Sequence, residues 1–346
     1  MEKIAFFGCP LDCDERHEAL KEKISRLHQG EAIGDPYEAV MALLRSDLDP
    51  TAWLEQGNLP VPTWLEPVPP VEEKEKLTTR DMVRFIDNDG CREVADRVGR
   101  FVQDRVFPHI PCLIAVDQSL TGGVYRPVVE RYAPEEVSLV VLDAHTDAIP
   151  VSILAPAVQY DAETNPASLH DAQDPLLYDR TDSYNASSFL FHLLAEKVVP
   201  PRNLYILGIA DYPPKHAFRL KDERISNYVG CYQELRQAGV TLVTRDEIVG
   251  SPSRVRRLLE AIHTPYLYLS VDLDIGARNA LNGVRFLDRQ GLSAAQLFKL
   301  LDYLKARLGN GLRLAGLDLC EFNPRSPDWA STCRLAVEII KKLLFS

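Results

Sequence analysis

The sequence predicts an α/β fold, a three-layer αβα arrangement around a mostly parallel central sheet. Short runs that are apolar on both faces recur along the 346 residues, as expected of strands sandwiched between helices. Helical patterns separate these runs, and repeated βα units imply parallel strands with helices on both faces. Two of the runs end in closely spaced aspartates. That is how a site looks when it forms at the carboxyl ends of parallel strands.

The elements follow in order. Candidate strands are K-I-A-F-F-G (3–8), C-L-I-A-V (112–116), V-S-L-V-V-L (137–142) and L-Y-I-L-G-I (204–209). Three more are V-T-L-V (240–243), Y-L-Y-L-S-V (266–271) and R-L-A-G-L-D (313–318). Between them the periodicity predicts helices near 90–106, 185–197, 225–238, 252–263, 293–308 and 327–345. Ser293 and Gln296 form a capping-box signature at the start of the fifth. Residues 50–75 carry Pro50, Pro60, Pro62, Pro67, Pro69 and Pro70, which predicts an extended connection and no helix. Residues 148–183 predict a long insertion that acts as a lid or pocket wall. With no repeat and no strong boundary, residues 1–346 are expected to form one domain.

Composition narrows the function. A hydrophobic content of 46% supports a sizeable core, and a net charge of −11 argues against nucleic acid or an anionic membrane as partner. The apolar run at the start is too short for a signal peptide, and no run reaches membrane-span length. Seven cysteines at scattered positions give neither a disulfide framework nor a C-x-x-C pair. These features predict a soluble cytoplasmic protein with buried free thiols.

The chemistry concentrates at V-V-L-D-A-H-T-D (140–147). Residues two apart on an extended segment share a side, so Asp143, His145 and Asp147 converge at a strand end. Burying carboxylates side by side is costly unless a cation lies between them. Asp272 and Asp274 end the run Y-L-Y-L-S-V-D-L-D in the same way. Four carboxylates could balance two divalent cations, and Asp oxygens with one imidazole suit Mn²⁺ or Zn²⁺. The alternative is that these aspartates cap the helices that follow.

With these motifs the chain resembles the ureohydrolases, the superfamily of arginase, agmatinase and formimidoylglutamase. D-A-H-T-D matches the family's second motif, S-V-D-L-D (270–274) half of the third, and A-V-D-Q-S (115–119) takes the place of G-G-D-H-S. A-G-L-D-L-C-E-F-N-P (315–324) is similar to the closing segment. The match is strong over about 110–345 and weak over 1–110. The resemblance implies an arginase/deacetylase-like fold and a two-metal site, usually Mn²⁺ with Zn²⁺ second. It implies that Asp143 and Asp272 bridge the metals, with His145 and Asp274 on one and Asp147 and Gln118 on the other. A metal-activated hydroxide would attack the substrate carbon. Glu321 would grip a cationic guanidinium, and trimers or hexamers are common in the family.

Three departures qualify that picture. Gln118 stands where the family has a histidine ligand, and an amide oxygen is a weaker donor. Ala277 and Arg278 replace the family's Asp-Pro, which makes Arg278 a candidate counter-charge for the carboxylates. Asn185 replaces a histidine associated with proton transfer, for which His170 is the substitute on offer. The expectation is a metal-dependent hydrolase of a linear C–N bond in a guanidino, amidino or related amide substrate, with Glu321, Asp147 and His170 as catalytic candidates. The alternative is a non-catalytic relative that keeps the scaffold for binding or regulation.

Overall fold

A computed structural model describes residues 2–28, 34–166, 168, 174–287 and 289–345. Eight strands form one sheet: β1 Ile4–Cys9, β2 Trp53–Asn58, β3 Ile110–Ala115, β4 Val137–Leu142, β5 Leu204–Ile209, β6 Thr241–Thr244, β7 Tyr266–Asp272 and β8 Arg313–Cys320. Their order is β2-β1-β3-β8-β7-β4-β5-β6. Every pairing is parallel.

The three layers follow from the alternation of buried side chains along each strand. On β4, Leu139 and Val141 join one core with Val94, Val128, Leu193 and Tyr232. Val140 and Leu142 join the other with Val40, Leu259, Leu301 and Ala336. The first core is roofed by helices α4 (Gly90–Phe101), α5 (Leu120–Tyr132), α7 (Phe189–Ala195) and α8 (Glu223–Ala238). The second is covered by α2 (Pro36–Asp47), α10 (Pro252–Glu260), α11 (Ala294–Leu308) and α12 (Trp329–Ile340). The Ser293–Gln296 capping box forms at the start of α11, with Ser293 N–H donating to Gln296 Oε1 at 2.8 Å.

Among the described residues six helices were not legible in the sequence, α1 (His17–Ser25), α2, α3 (Thr79–Asp87), α5, α6 (Val151–Thr164) and the short α9 (Arg245–Gly250). In α5 the pair Gly122-Gly123 and Pro127 disguise a buried helix. The close approach explains one glycine: a Cβ on Gly123 would lie 2.3 Å from the Ala95 carbonyl oxygen of α4. Two expectations are corrected. Residues 50–75 hold the edge strand β2 and 3-10 turns at Pro50–Ala52, Thr63–Leu65 and Val71–Lys76. β2 pairs on one side only, with β1, so it tolerates Glu55 and Gln56 where a central strand would not. The region expected as a long loop after Asp147 contains helix α6 (Val151–Thr164), with Pro156 inside it.

β7 and β8 are the last strands in sequence and enter the middle of the sheet, between β3 and β4. The chain reverses direction across the sheet there, and the carboxyl ends of β3, β8, β7 and β4 stand side by side. A crevice at such a switch point is the usual binding place in open α/β sheets. All the strand-end residues singled out above sit on this rim.

Candidate metal centre

Register brings the two aspartate motifs together. Leu142 is the Cα partner of Val271, so Asp143 and Asp272 follow on neighbouring strand ends. The backbone then turns tightly at both. His145 N–H donates to Asp143 Oδ1 at 2.6 Å, and Asp274 N–H donates to Asp272 Oδ1 at 2.8 Å. Asp272 therefore does cap the short 3-10 turn Leu273–Gly276. The two turns are cross-linked where Ala144 N–H donates to Asp274 Oδ1 at 3.1 Å.

The result is a compact group. Ligand atoms of Asp143, His145 and Asp274 all lie within 4.8 Å of one another. His145 Nδ1 is 2.8 Å from Asp274 Oδ2 and 3.7 Å from Asp143 Oδ1. Asp143 and Asp274 are buried and His145 is half-buried. Burial, and then the repulsion of Asp274, pushes the Asp143 carboxyl well above the usual carboxylate range. Burial followed by Asp143 does the same to Asp147, and burial followed by Asp274 and Asp143 to Asp272. Five groups from two motifs thus share one rim, and three of the carboxyls resist ionisation there.

Two observations fit this donor set to a divalent cation. Asp143 Oδ2 is buried with no hydrogen-bond partner, and neither amide atom of the buried Gln118 has one. Orphaned buried polar atoms are rare and ask for a ligand. Gln118 lies beside Asp143 and favours its charged form. Two carboxylates with an imidazole, and an amide oxygen nearby, are ordinary ligands for Mn²⁺ or Zn²⁺.

The loop carrying Asp147 is held by residues the sequence did not single out. Thr146 Oγ1 lies 2.6 Å from the Tyr232 hydroxyl and donates to Asp211 at 3.1 Å. Asp147 itself has a left-handed φ of 47°, and Glu321 has one of 69°. Such backbone is uncommon outside glycine and clusters at functional sites. Gly208 on β5 lets the loop pass: at its φ of 118°, a Cβ would sit 2.6 Å from the Asp143 carbonyl oxygen.

Glu321 follows β8 at the same rim and is buried. Both of its oxygens are engaged by Arg285, Oε2 by Nε at 2.8 Å and Oε1 by Nη2. Burial pushes the Glu321 carboxyl up to about 7 against the pull of Arg285. No sequence pattern pointed to Arg285, which lies on an irregular segment between β7 and α11. Arg278, a candidate counter-charge weighed against a solvated loop arginine, is exposed and donates to the Leu287 carbonyl, as the second reading has it. A left-handed φ of 56° turns it into the loop. Asn185 is committed to a local turn, its Oδ1 accepting from Ser187 N–H at 2.9 Å and Ser187 Oγ at 2.8 Å. His170 lies outside the described residues.

Phe286 and Arg16 close the rim over His145. The rings of His145 and Phe286 meet edge-on at 5.6 Å, and the Arg16 guanidinium lies 3.7 Å from the Phe286 ring centre. From the insertion, Arg180 donates to Asp87 and to Glu15, both at 3.0 Å, which anchors the end of that segment near the N-terminal part of the chain.

Comparison with known proteins agrees with this architecture. The Arginase family pattern matches residues 2–346. Proclavaminate amidino hydrolase from Streptomyces clavuligerus is similar over 100% of this chain and 91% of its own, with 17% identity and a TM-score of 0.62. Arginase from Bacillus caldovelox is similar over 100% and 99%, with 16% identity and a TM-score of 0.59. Formiminoglutamase from Trypanosoma cruzi, in a structure with Mn²⁺, is similar over 99% and 92%, with 14% identity and a TM-score of 0.58. At these identities the likeness is one of fold. No curated protein matches by sequence.

Proposed function

Because this chain belongs to the Arginase family, we propose that it is a metal-dependent hydrolase of a linear C–N bond in a small guanidino, amidino or related amide substrate. The observation that carries this reading is the triad Asp143, His145 and Asp274, gathered within 4.8 Å at the sheet's switch point. These residues would hold a divalent cation, Mn²⁺ ahead of Zn²⁺, with Asp272, Asp147 and the Gln118 amide as further donors. Such an ion supplies polarisation of the substrate and a lowered pKa for water.

The chain's own residues supply the rest. Asp147 takes the proton of the attacking water and returns it to the leaving nitrogen. Phe286 and Arg16 shield the rim from bulk water, which strengthens the interactions beneath them. With Gln118 in place of an imidazole, one ion is held firmly and a second weakly. The seven cysteines are all free, and no described helix is long and apolar enough to cross a membrane. The free thiols support a cytoplasmic setting.

A non-catalytic relative that binds without turnover is the second reading, and Gln118 is the observation in its favour. Elemental analysis after Mn²⁺ loading, with an activity screen on guanidino, amidino and amide compounds, separates the two. Metal without turnover on every class would favour the second.

A further inference from the structure

Outside the triad, a concentration of buried charge surrounds Arg285. Its Nη1 donates to Asp12 at 3.1 Å and to Asp117 at 3.4 Å, while Nε and Nη2 hold both oxygens of Glu321. Nε–H, both hydrogens of Nη1 and one of Nη2 are thus used, and the side chain is only 2% exposed. Three carboxylates from three separate parts of the chain converge on one planar guanidinium. The paired, two-pronged contact is one that a guanidinium makes and an ammonium does not.

The backbone sets this arginine in place. Val284 and Phe322 form an antiparallel bridge, in which Arg285 N–H donates to the Glu321 carbonyl at 3.1 Å and Asn323 N–H to that of Gly283 at 2.8 Å. Glu321 lies next in sequence to Cys320, the Cα partner of Asp272, so the seat adjoins the metal centre. The next residue, Phe286, packs on His145. One short segment therefore delivers both a cation to Glu321 and a ring to the metal triad.

We propose that Arg285 is a specificity-determining residue: it fills, from within the chain, the guanidinium-shaped seat of Glu321, Asp12 and Asp117 beside the metal centre. A guanidinium or amidinium arriving from solvent finds both Glu321 oxygens taken. The centre is left to a substrate whose scissile C–N bond belongs to an uncharged amide. The occupancy of the seat stands on the contacts alone, and the substrate class rests on the hydrolase reading above.

The test is binding of methylguanidinium, followed by calorimetry and thermal unfolding, on the full chain. The wild type should bind none at millimolar concentration. Arg285→Ala should bind one per chain and recover part of its lost thermal stability, while methylammonium at equal concentration does less, since it lacks the planar fork. The double variant Arg285→Ala, Glu321→Ala should not bind. Where Arg285→Ala does not fold unaided, refolding yield with methylguanidinium against methylammonium is the readout. Equal effects of the two ions, or wild-type binding of methylguanidinium that Glu321→Gln abolishes, overturns the proposal. Turnover of a guanidino compound by the wild type overturns the substrate class. A lack of turnover on every compound counts against the hydrolase reading and leaves the seat to be judged by binding.

Discussion

Deleting His145 should erase the stabilisation that Mn²⁺ gives the parent. An ion that binds only the folded chain at one hundred times its Kd stabilises by about 2.7 kcal/mol. Unfolding entropy of roughly 2.1 cal/mol/K per residue, over 346 residues, comes to about 0.7 kcal/mol/K, so the expected rise in Tm is about 4 °C. His145 approaches Asp274 Oδ2 at 2.8 Å and is the triad's only imidazole. Losing a metal ligand should cost at least the roughly 100-fold in affinity seen for outer-sphere partners. At the same Mn²⁺ concentration the variant then sits near its Kd. Its stabilisation falls to about 0.4 kcal/mol, a shift under about 1 °C. The pH dependence has a fixed sign. Asp143, Asp147 and Asp272 are pushed above the ordinary carboxylate range by burial and then by a neighbouring carboxylate, Asp274 for Asp143 and Asp272, and Asp143 for Asp147. Without an ion, the folded chain therefore holds more protons than the unfolded chain, and stability falls as pH rises through that window. Mn²⁺ displaces those protons, so its stabilisation must grow as pH rises. Differential scanning fluorimetry of chelator-treated parent and His145→Ala, with and without Mn²⁺ at several pH values, reads all of this. An equal Mn²⁺ shift in parent and variant, or a parent shift indifferent to pH, would refute the assignment of the triad.

Gln118→His should raise the Mn²⁺ stoichiometry from near one towards two per chain in elemental analysis, because an imidazole replaces an unpartnered amide. Gly208→Ala should cost about 1–3 kcal/mol in urea unfolding and weaken Mn²⁺ binding, since its Cβ would press on the Asp143 carbonyl at 2.6 Å. Asp12→Asn should cost about 3–5 kcal/mol in the same assay. It strips the charge that faces Arg325 at 2.6 Å, Arg285 at 3.1 Å and Lys23 at 3.2 Å. Asp318 is fully buried, raised from 3.8 to about 6 by burial, and held by the hydroxyls of Ser270 and Tyr268 at 2.7 Å. Its ionisation costs stability as pH rises from about 4 to about 6, so Asp318→Asn should gain about 2 kcal/mol relative to the parent between those limits. Urea titrations at the two pH values measure the difference.

Local pattern carried seven of the eight strands and the polar residues that follow their ends. Strand identity depends on a two-residue repeat and on burial of both faces, which a run such as Val137–Leu142 states outright. Asp143 and His145 meet by a tight turn and not by that repeat, with His145 N–H on the Asp143 carboxylate, while D-A-H-T-D beside D-L-D also identified the family. Patterns that violate a local rule were hidden. α5 and α6 carry Pro127 and Pro156 inside them and form because burial outweighs propensity. β2 reads as polar because an edge strand need hide only part of itself. What only the tertiary structure decided is the partner of Glu321. Arg285 lies 36 residues from Glu321 and 273 from Asp12, and no periodicity links residues so far apart. A buried charge selects its counter-charge by proximity in the folded chain. The exposed Arg278 and the buried Arg285, seven positions apart, took opposite fates because one faces solvent and the other bridges beside β8.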